Sequence, residues 1–296
     1  MTPAPAMPSP PLKALLWDVD GTLAETERDG HRIAFNLAFE AFKLPWQWSV
    51  AQYGVLLSIT GGYERLLHDL QTRPGAPQDP EARHTLALCL HQHKNALYAE
   101  QVRSGRIPLR EGVLPLMQQC RARGLRMAIV TTTSRGNVDA LLRQHLGDGW
   151  AAWFAAQVCG EDVARKKPDP QAYQMALDQL GLRPENTLAL EDAPAGVTAA
   201  RAAGVPVVVT RSAYFADAVV DGVLAGALVG APAGVLAGVL ATGPGLGQRA
   251  GWLPALAAAA TAASPDLIGL DDLLAWHARR GAADSAGMSA ARPLNS

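Results

Sequence analysis

Residues 14–23 read Ala-Leu-Leu-Trp-Asp-Val-Asp-Gly-Thr-Leu, so four apolar residues run into two carboxylates one residue apart, followed by a Gly-Thr turn. Asp18 and Asp20 sit at i and i+2, and on an extended chain such side chains point the same way. Two like charges placed so closely repel unless a cation or a shared proton compensates. The plain alternative is a strand end with solvated acids and an Asp-Gly turn. The chemical reading is a carboxylate nucleophile with an acid/base beside it, aided by Mg²⁺. Three further stretches supply partners for that reading: Thr131 after the apolar run Met127–Val130, Lys167 within Lys-Lys-Pro-Asp-Pro, and Glu191-Asp192 after Leu188-Ala189-Leu190.

Each stretch alone has an ordinary explanation as a cap, a solvated cation or a solvated acid pair. Together they suit phosphoryl transfer. Mg²⁺ takes about six oxygen ligands and keeps several waters. Asp18, the Asp20 carbonyl and Asp192 can supply three, with Glu191 direct or through water. A carboxylate attacking phosphorus forms an aspartyl-phosphate, and most of the catalysis is electrostatic positioning. Lys167 and the Thr131 hydroxyl are candidates to hold the phosphoryl oxygens, and Asp20 to exchange the proton of the leaving group and of water. Only 5 of the 26 basic residues are Lys, so the adjacent Lys166 and Lys167 stand out in an Arg-preferring chain. An ammonium is a compact point charge suited to one phosphate oxygen.

These residues need a scaffold that brings strand ends together. A short apolar run closed by a turn signal predicts a buried strand, which belongs in a parallel sheet covered by helices. From Pro108 onward strand and helix patterns alternate: helices over 112–123, 137–145, 170–180 and 196–203, and strands over 126–130, 154–159, 187–190 and 206–210. That rhythm predicts a doubly wound α/β core, whose ligands bind beyond the carboxyl ends of the strands. Between the first strand and residue 106 the pattern is helical. Thr26 is the expected N-cap of a helix over 27–43, and further helices fall at 50–57, 64–70 and 81–102. The domains read as an α/β core at 12–26 and 107–282, an inserted helical cap at 27–106, and flexible tails at 1–11 and 283–296.

The 296 residues carry a net charge of −1, which gives no basic field for nucleic acid. Cys89, Cys120 and Cys159 are well separated, which fits a reducing compartment and neither a disulfide framework nor a zinc site. The opening eleven residues lack a basic and an apolar signal-peptide region, so a cytoplasmic location is expected; the chain is separately expected to be a monomer. Residues 222–241 contain no charged residue and have Gly at every fourth position. Six Ala and five Gly give weak drive for membrane insertion, so a helical hairpin turning near 230–234 is expected instead of a span. A helix over 270–278 closes the pattern.

The four motifs, in this order over about residues 12 to 212, resemble the haloacid dehalogenase superfamily of phosphatases, in the subgroup with a helical cap after the first motif. The resemblance implies Asp18 as nucleophile, Asp20 as acid/base, Thr131 and Lys167 on the phosphate, and Glu191 and Asp192 as metal acids. Residues 24–36, Tyr53-Gly54-Val55-Leu56-Leu57 and Thr60-Gly61-Gly62-Tyr63-Glu64-Arg65 are similar to the CbbY-type proteins. That similarity implies hydrolysis of a small sugar phosphate, xylulose-1,5-bisphosphate to xylulose 5-phosphate. The alternatives are a phosphoglycolate or other sugar-phosphate phosphatase, or a phosphomutase of the β-phosphoglucomutase type. A non-catalytic binding protein on the same fold would have lost Asp18 or Asp192, and both are present. Substrate contacts are expected from Arg65 and Lys94 for a second phosphate, from Glu25 and His31 toward sugar hydroxyls, and from Thr132. Tyr63 stands where the family pattern has Lys, Glu111 replaces a Pro, and the Ala/Gly-rich stretch after Asp217 has no counterpart.

Overall fold

A computed structural model of the chain describes residues 10–215, 239–244 and 268–278. Its centre is strand β1 (Ala14–Trp17), every residue of which is buried. It is joined by β2 (Arg126–Val130), β3 (Ala156–Val158), β4 (Thr187–Glu191), β5 (Val207–Arg211) and β6 (Val239–Pro244) in the order β3-β2-β1-β4-β5-β6. All pairings are parallel. A parallel strand at the middle of a sheet needs apolar residues on both faces, and β1 has them. Leu15 and Trp17 enter one cluster with α5 (Val113–Ala122), α6 (Arg135–Leu146) and the helix over 270–278. Ala14 and Leu16 enter the other, with α7 (Gln171–Leu180) and α8 (Pro194–Ala202).

The chain departs from β1 to β2 and β3 on one side and returns through β4 and β5 on the other. The crevice where the order reverses lies between the ends of β1 and β4, and β1 pairs with both β2 and β4 in register.

Between β1 and α5 lie α1 (Arg32–Ala41), α2 (Val50–Leu56), α3 (Gly62–Leu70) and α4 (Pro80–Arg103). They pack around their own cluster, with Phe35, Phe39, Trp48, Tyr53, Leu66 and Leu90 fully buried. Asp79 caps α4 by accepting from the Ala82 amide, and Ser49 caps α2 through a capping box with Gln52. The two connections between these helices and the sheet run side by side, with an antiparallel bridge between Ala24 and Leu109.

Three local expectations change. The helix expected over 27–43 opens with a π-helical turn at Glu27–His31 and ends at Ala41. Thr26 is not its side-chain cap, because its hydroxyl is committed to Asp20. Within the 222–241 run, residues 239–241 begin β6, paired with β5, so that end is strand and not part of a helical hairpin. The remainder of the run, residues 1–9 and residues 279–296 lie outside the described residues. Among the described residues no helix is long and apolar enough to cross a membrane.

Candidate active site

Asp18 follows β1 directly, and its amide donates to Leu190 O on β4 at 3.0 Å. Glu191 ends β4 and Asp192 follows it, so the switch between β1 and β4 brings Asp18 to a pair of acids more than 170 residues further along the sequence. One ligand oxygen from each of Asp18, Glu191 and Asp192 lies within 4.8 Å of the others, and all three residues are buried. Lys167 reaches into this cluster. Its Nζ donates to Asp18 Oδ1 at 2.8 Å, Glu191 Oε1 at 2.6 Å and Val130 O at 2.8 Å. Tyr173, on α7, also donates to Glu191 Oε1. Gly21 has φ +83°, and a Cβ there would overlap the Asp192 carboxylate, so the turn after Asp20 admits only glycine at this approach.

The electrostatics show a shortage of positive charge. Burial pushes Asp18 up to about 8 against the pull of Lys167, and Glu191 and Asp20 add to the rise. Burial, and next the Asp18 charge, push Asp192 well above the carboxylate range. Burial opposes the Lys167 charge, yet Asp18 and Glu191 outweigh it and hold Lys167 above its ordinary value. Asp192 Oδ1 is buried with no hydrogen-bond partner among the described residues. Fully ionised, the three carboxylates would exceed the one ammonium bonded among them by two charges, and a buried acid oxygen is left unpaired. An oxygen-ligated divalent cation such as Mg²⁺ fits that donor set.

Asp20 is held differently. Thr26 donates to its Oδ1 at 2.6 Å, and His31 Nε2 lies 3.0 Å from the same oxygen. Lys94 Nζ is 2.9 Å from His31 Nδ1. An ammonium only donates, so Nδ1 accepts and Nε2 carries the hydrogen directed at Asp20. Burial would raise Asp20, but His31, Thr26 and the Lys94 charge together hold it below the usual carboxylate range. The π turn widens the helix at Glu27–His31, between Thr26, which faces Asp20, and His31, which closes the turn.

The sheet end and the helices enclose a cavity of about 170 Å³, the scale of a small ligand. Asp18, Asp20, Thr131, Thr132, Lys167, Glu191 and Asp192 line it from the sheet, and Glu27, His31, Arg65 and Lys94 from the helices. Thr131 is buried at the end of β2, where its Oγ accepts from the Thr133 amide at 3.2 Å. Arg65 is buried against Tyr53, with Nη1 donating to the Tyr53 hydroxyl at 2.7 Å, and Tyr53 in turn donates to Glu27 Oε2 at 2.5 Å. Lys94 is buried over the Phe35 and Tyr98 rings, 4.8 and 5.5 Å from their centroids.

Glu25, expected to face sugar hydroxyls, does not line the cavity. It accepts from the Ala213 amide at 3.1 Å and pairs with Arg110 at 3.5 Å, which turns it toward the loop after β5. Both ring nitrogens of His31, expected to face the same hydroxyls, are taken by Asp20 and Lys94. Sequence reading missed Glu27, Tyr53, Thr26 and Tyr173. Glu27 and Tyr53 lie 26 residues apart and carry no local pattern that joins them. The i+6 spacing of Thr26 from Asp20 across the turn was the one available signal.

A buried carboxylate, an ammonium bonded to it and a metal-capable acid cluster at the switch of a doubly wound sheet form a site suited to an anionic substrate. The profile of the haloacid dehalogenase-like hydrolases matches residues 12–204. The chain is 45% identical over 203 residues to Protein CbbY of Rhodobacter capsulatus, covering 69% of this chain and 87% of that one. It is 43% identical over 206 residues to the plasmid-borne Protein CbbY of Cupriavidus necator, covering 69% and 80%. A crystal structure of a CbbY variant from Rhodobacter sphaeroides in complex with xylulose-(1,5)bisphosphate superposes with a TM-score of 0.64 at 38% identity, covering 69% of this chain and 88% of that one. The chain belongs to the haloacid dehalogenase-like hydrolase family, and within it to the CbbY-type phosphatases.

Proposed function

We propose that the chain is a Mg²⁺-dependent sugar-phosphate phosphatase acting on xylulose-1,5-bisphosphate, with Asp18 as nucleophile. The observation that carries the chemistry is the contact of Asp18 with Lys167 beside an Asp20 held by its own two donors. Asp18 attacks phosphorus, and the bond to the sugar oxygen breaks as Asp20, which takes up a proton from solvent when the substrate anion binds beside it, gives that proton to the oxygen. Water then attacks the aspartyl-phosphate, Asp20 takes back a proton, and inorganic phosphate leaves. Lys167, the Thr131 hydroxyl and Thr132 hold the phosphoryl oxygens. Asp18, Asp192, the Asp20 carbonyl and Glu191 would hold Mg²⁺, which would supply neutralisation of the phosphoryl charge.

Thr26 and His31 position Asp20, and Lys94 positions His31. The helical block over 27–106 serves as the cap that selects the substrate, because the core residues meet one phosphoryl group only. A bisphosphate brings a second anion that must be paired in a closed site. Lys94 is suited to pairing it, because among the described residues its hydrogen-bond partners are His31 and Asn95, with no carboxylate. Arg65 shares its charge with Glu27 and Tyr53 and lies in the same wall. The bisphosphate bound to the related CbbY variant supports the same choice.

A phosphate-release screen over xylulose-1,5-bisphosphate, xylulose 5-phosphate, phosphoglycolate and hexose monophosphates tests this. The bisphosphate is expected to lead in kcat/KM by about tenfold or more, the equivalent of one added charge-assisted contact. A lead by phosphoglycolate or a monophosphate would refute the bisphosphate assignment. Interconversion of sugar phosphates without net phosphate release would identify a phosphomutase.

A further inference from the structure

Two contacts join the segment Thr60–Arg65 of the helical block to the lysine pair of the core. Lys166 Nζ donates to Glu64 Oε1 at 2.5 Å, and the Thr60 hydroxyl donates to the carbonyl of Lys167 at 2.6 Å, from residues 102 and 107 positions away. Gly61, between them, has φ +91°, and a Cβ there would overlap the Glu64 carboxylate and lie 2.8 Å from Lys166 Nζ. The approach is therefore built around a residue without a side chain. The Arg65 amide donates to Gly61 O at 3.0 Å, so the same short turn presents Arg65 to the cavity. Lys167 is thereby held at both ends: its ammonium by Asp18, Glu191 and Val130, and its backbone by Thr60.

We propose that Glu64, Lys166 and Thr60 form a latch that closes the Arg65 segment onto the Lys167 loop, so that a distal anion engaging Arg65 fixes Lys167 against the phosphoryl group. Glu64 and Lys166 are positioning residues and neither touches the reacting atoms. Side-chain exposures of 41% for Glu64 and 22% for Lys166 make the pair a weak one. A closure that must open again for each product needs a contact that breaks readily. Among the described residues, Lys166 is the cation that meets Glu64.

The proposal rests on the phosphatase reading above, and the test separates the two. Glu64→Gln, Lys166→Met, the double variant and the reversed pair Glu64→Lys/Lys166→Glu are assayed with xylulose-1,5-bisphosphate and with p-nitrophenyl phosphate. Each single variant is expected to lower kcat/KM for the bisphosphate about fivefold and for p-nitrophenyl phosphate less than twofold, with the double no worse than the poorer single. The reversed pair should recover to within about 1.5-fold of the parent protein, because the two charges still meet. Losses that multiply in the double, a reversed pair that does not recover, equal factors on both substrates, or melting temperatures that fall in step with activity would each overturn the latch. If the parent protein releases no phosphate from the bisphosphate, the substrate reading fails. The p-nitrophenyl phosphate cycle then decides the latch by the same coupling and recovery.

Discussion

Replacing Lys94 with Met should make the protein more stable and a poorer enzyme at once. Lys94 is 2% exposed. Burial, opposed by Glu27 and Asp20 and reinforced by Arg65, brings its ammonium down from 10.5 to about 8. That fall corresponds to roughly 3 kcal/mol against the charged form in the free protein. Met fills a similar volume without the charge, and the Phe35 and Tyr98 rings that flank Nζ accept a thioether. The sign follows from proton binding. Below pH 8 both states carry the proton and the full cost is present. Between pH 8 and 10.5 only the unfolded chain is charged, so parent stability rises with pH and the cost fades. The variant's advantage should therefore be largest below pH 8 and gone above 10.5. Chemical denaturation of both proteins at pH 7 and pH 10.5 measures it, with a gain of about 1–3 kcal/mol expected at pH 7 after the lost cation–π contacts are discounted. In turnover, the distal phosphate loses its ammonium, so kcat/KM for xylulose-1,5-bisphosphate should fall by about 10²-fold. His31 loses its Nδ1 donor as well, and p-nitrophenyl phosphate should fall by no more than about tenfold. A variant less stable than the parent at pH 7, or equal losses on the two substrates, would refute the reasoning.

Two other outcomes follow from the core of the site. Asp18→Asn keeps the shape but cannot form the aspartyl-phosphate, so turnover should drop by about three orders of magnitude or more with the fold intact by circular dichroism; retention of a tenth of the rate would exclude covalent catalysis. Chelation should abolish activity and Mg²⁺ restore it. Asp192→Ala should raise the Mg²⁺ concentration needed for half-maximal rate by about tenfold or more, and full activity in chelator would show that the acid cluster is not a metal site.

The linear sequence by itself determined the features that rest on local pattern. The apolar run into Asp18 and Asp20 specified a buried strand with acids at its carboxyl end, and the alternation after Pro108 specified a parallel sheet with helices on both faces. The four motifs then had to converge, because a doubly wound sheet places its strand ends along one edge. Tertiary packing alone decided which partner each polar side chain takes. Thr26 looked like a helix cap, but the π turn leaves its hydroxyl to Asp20. Glu25 and Glu27 are two residues apart in a helical entry, and only the positions of Arg110 and Tyr53 send one to the loop after β5 and the other to the cavity wall. His31 and Lys94 are 63 residues apart, and Lys166 and Glu64 are 102 apart. Hydrogen bonds of about 3 Å between such residues depend on how helices dock on a sheet, and the periodicity of neither segment encodes that docking.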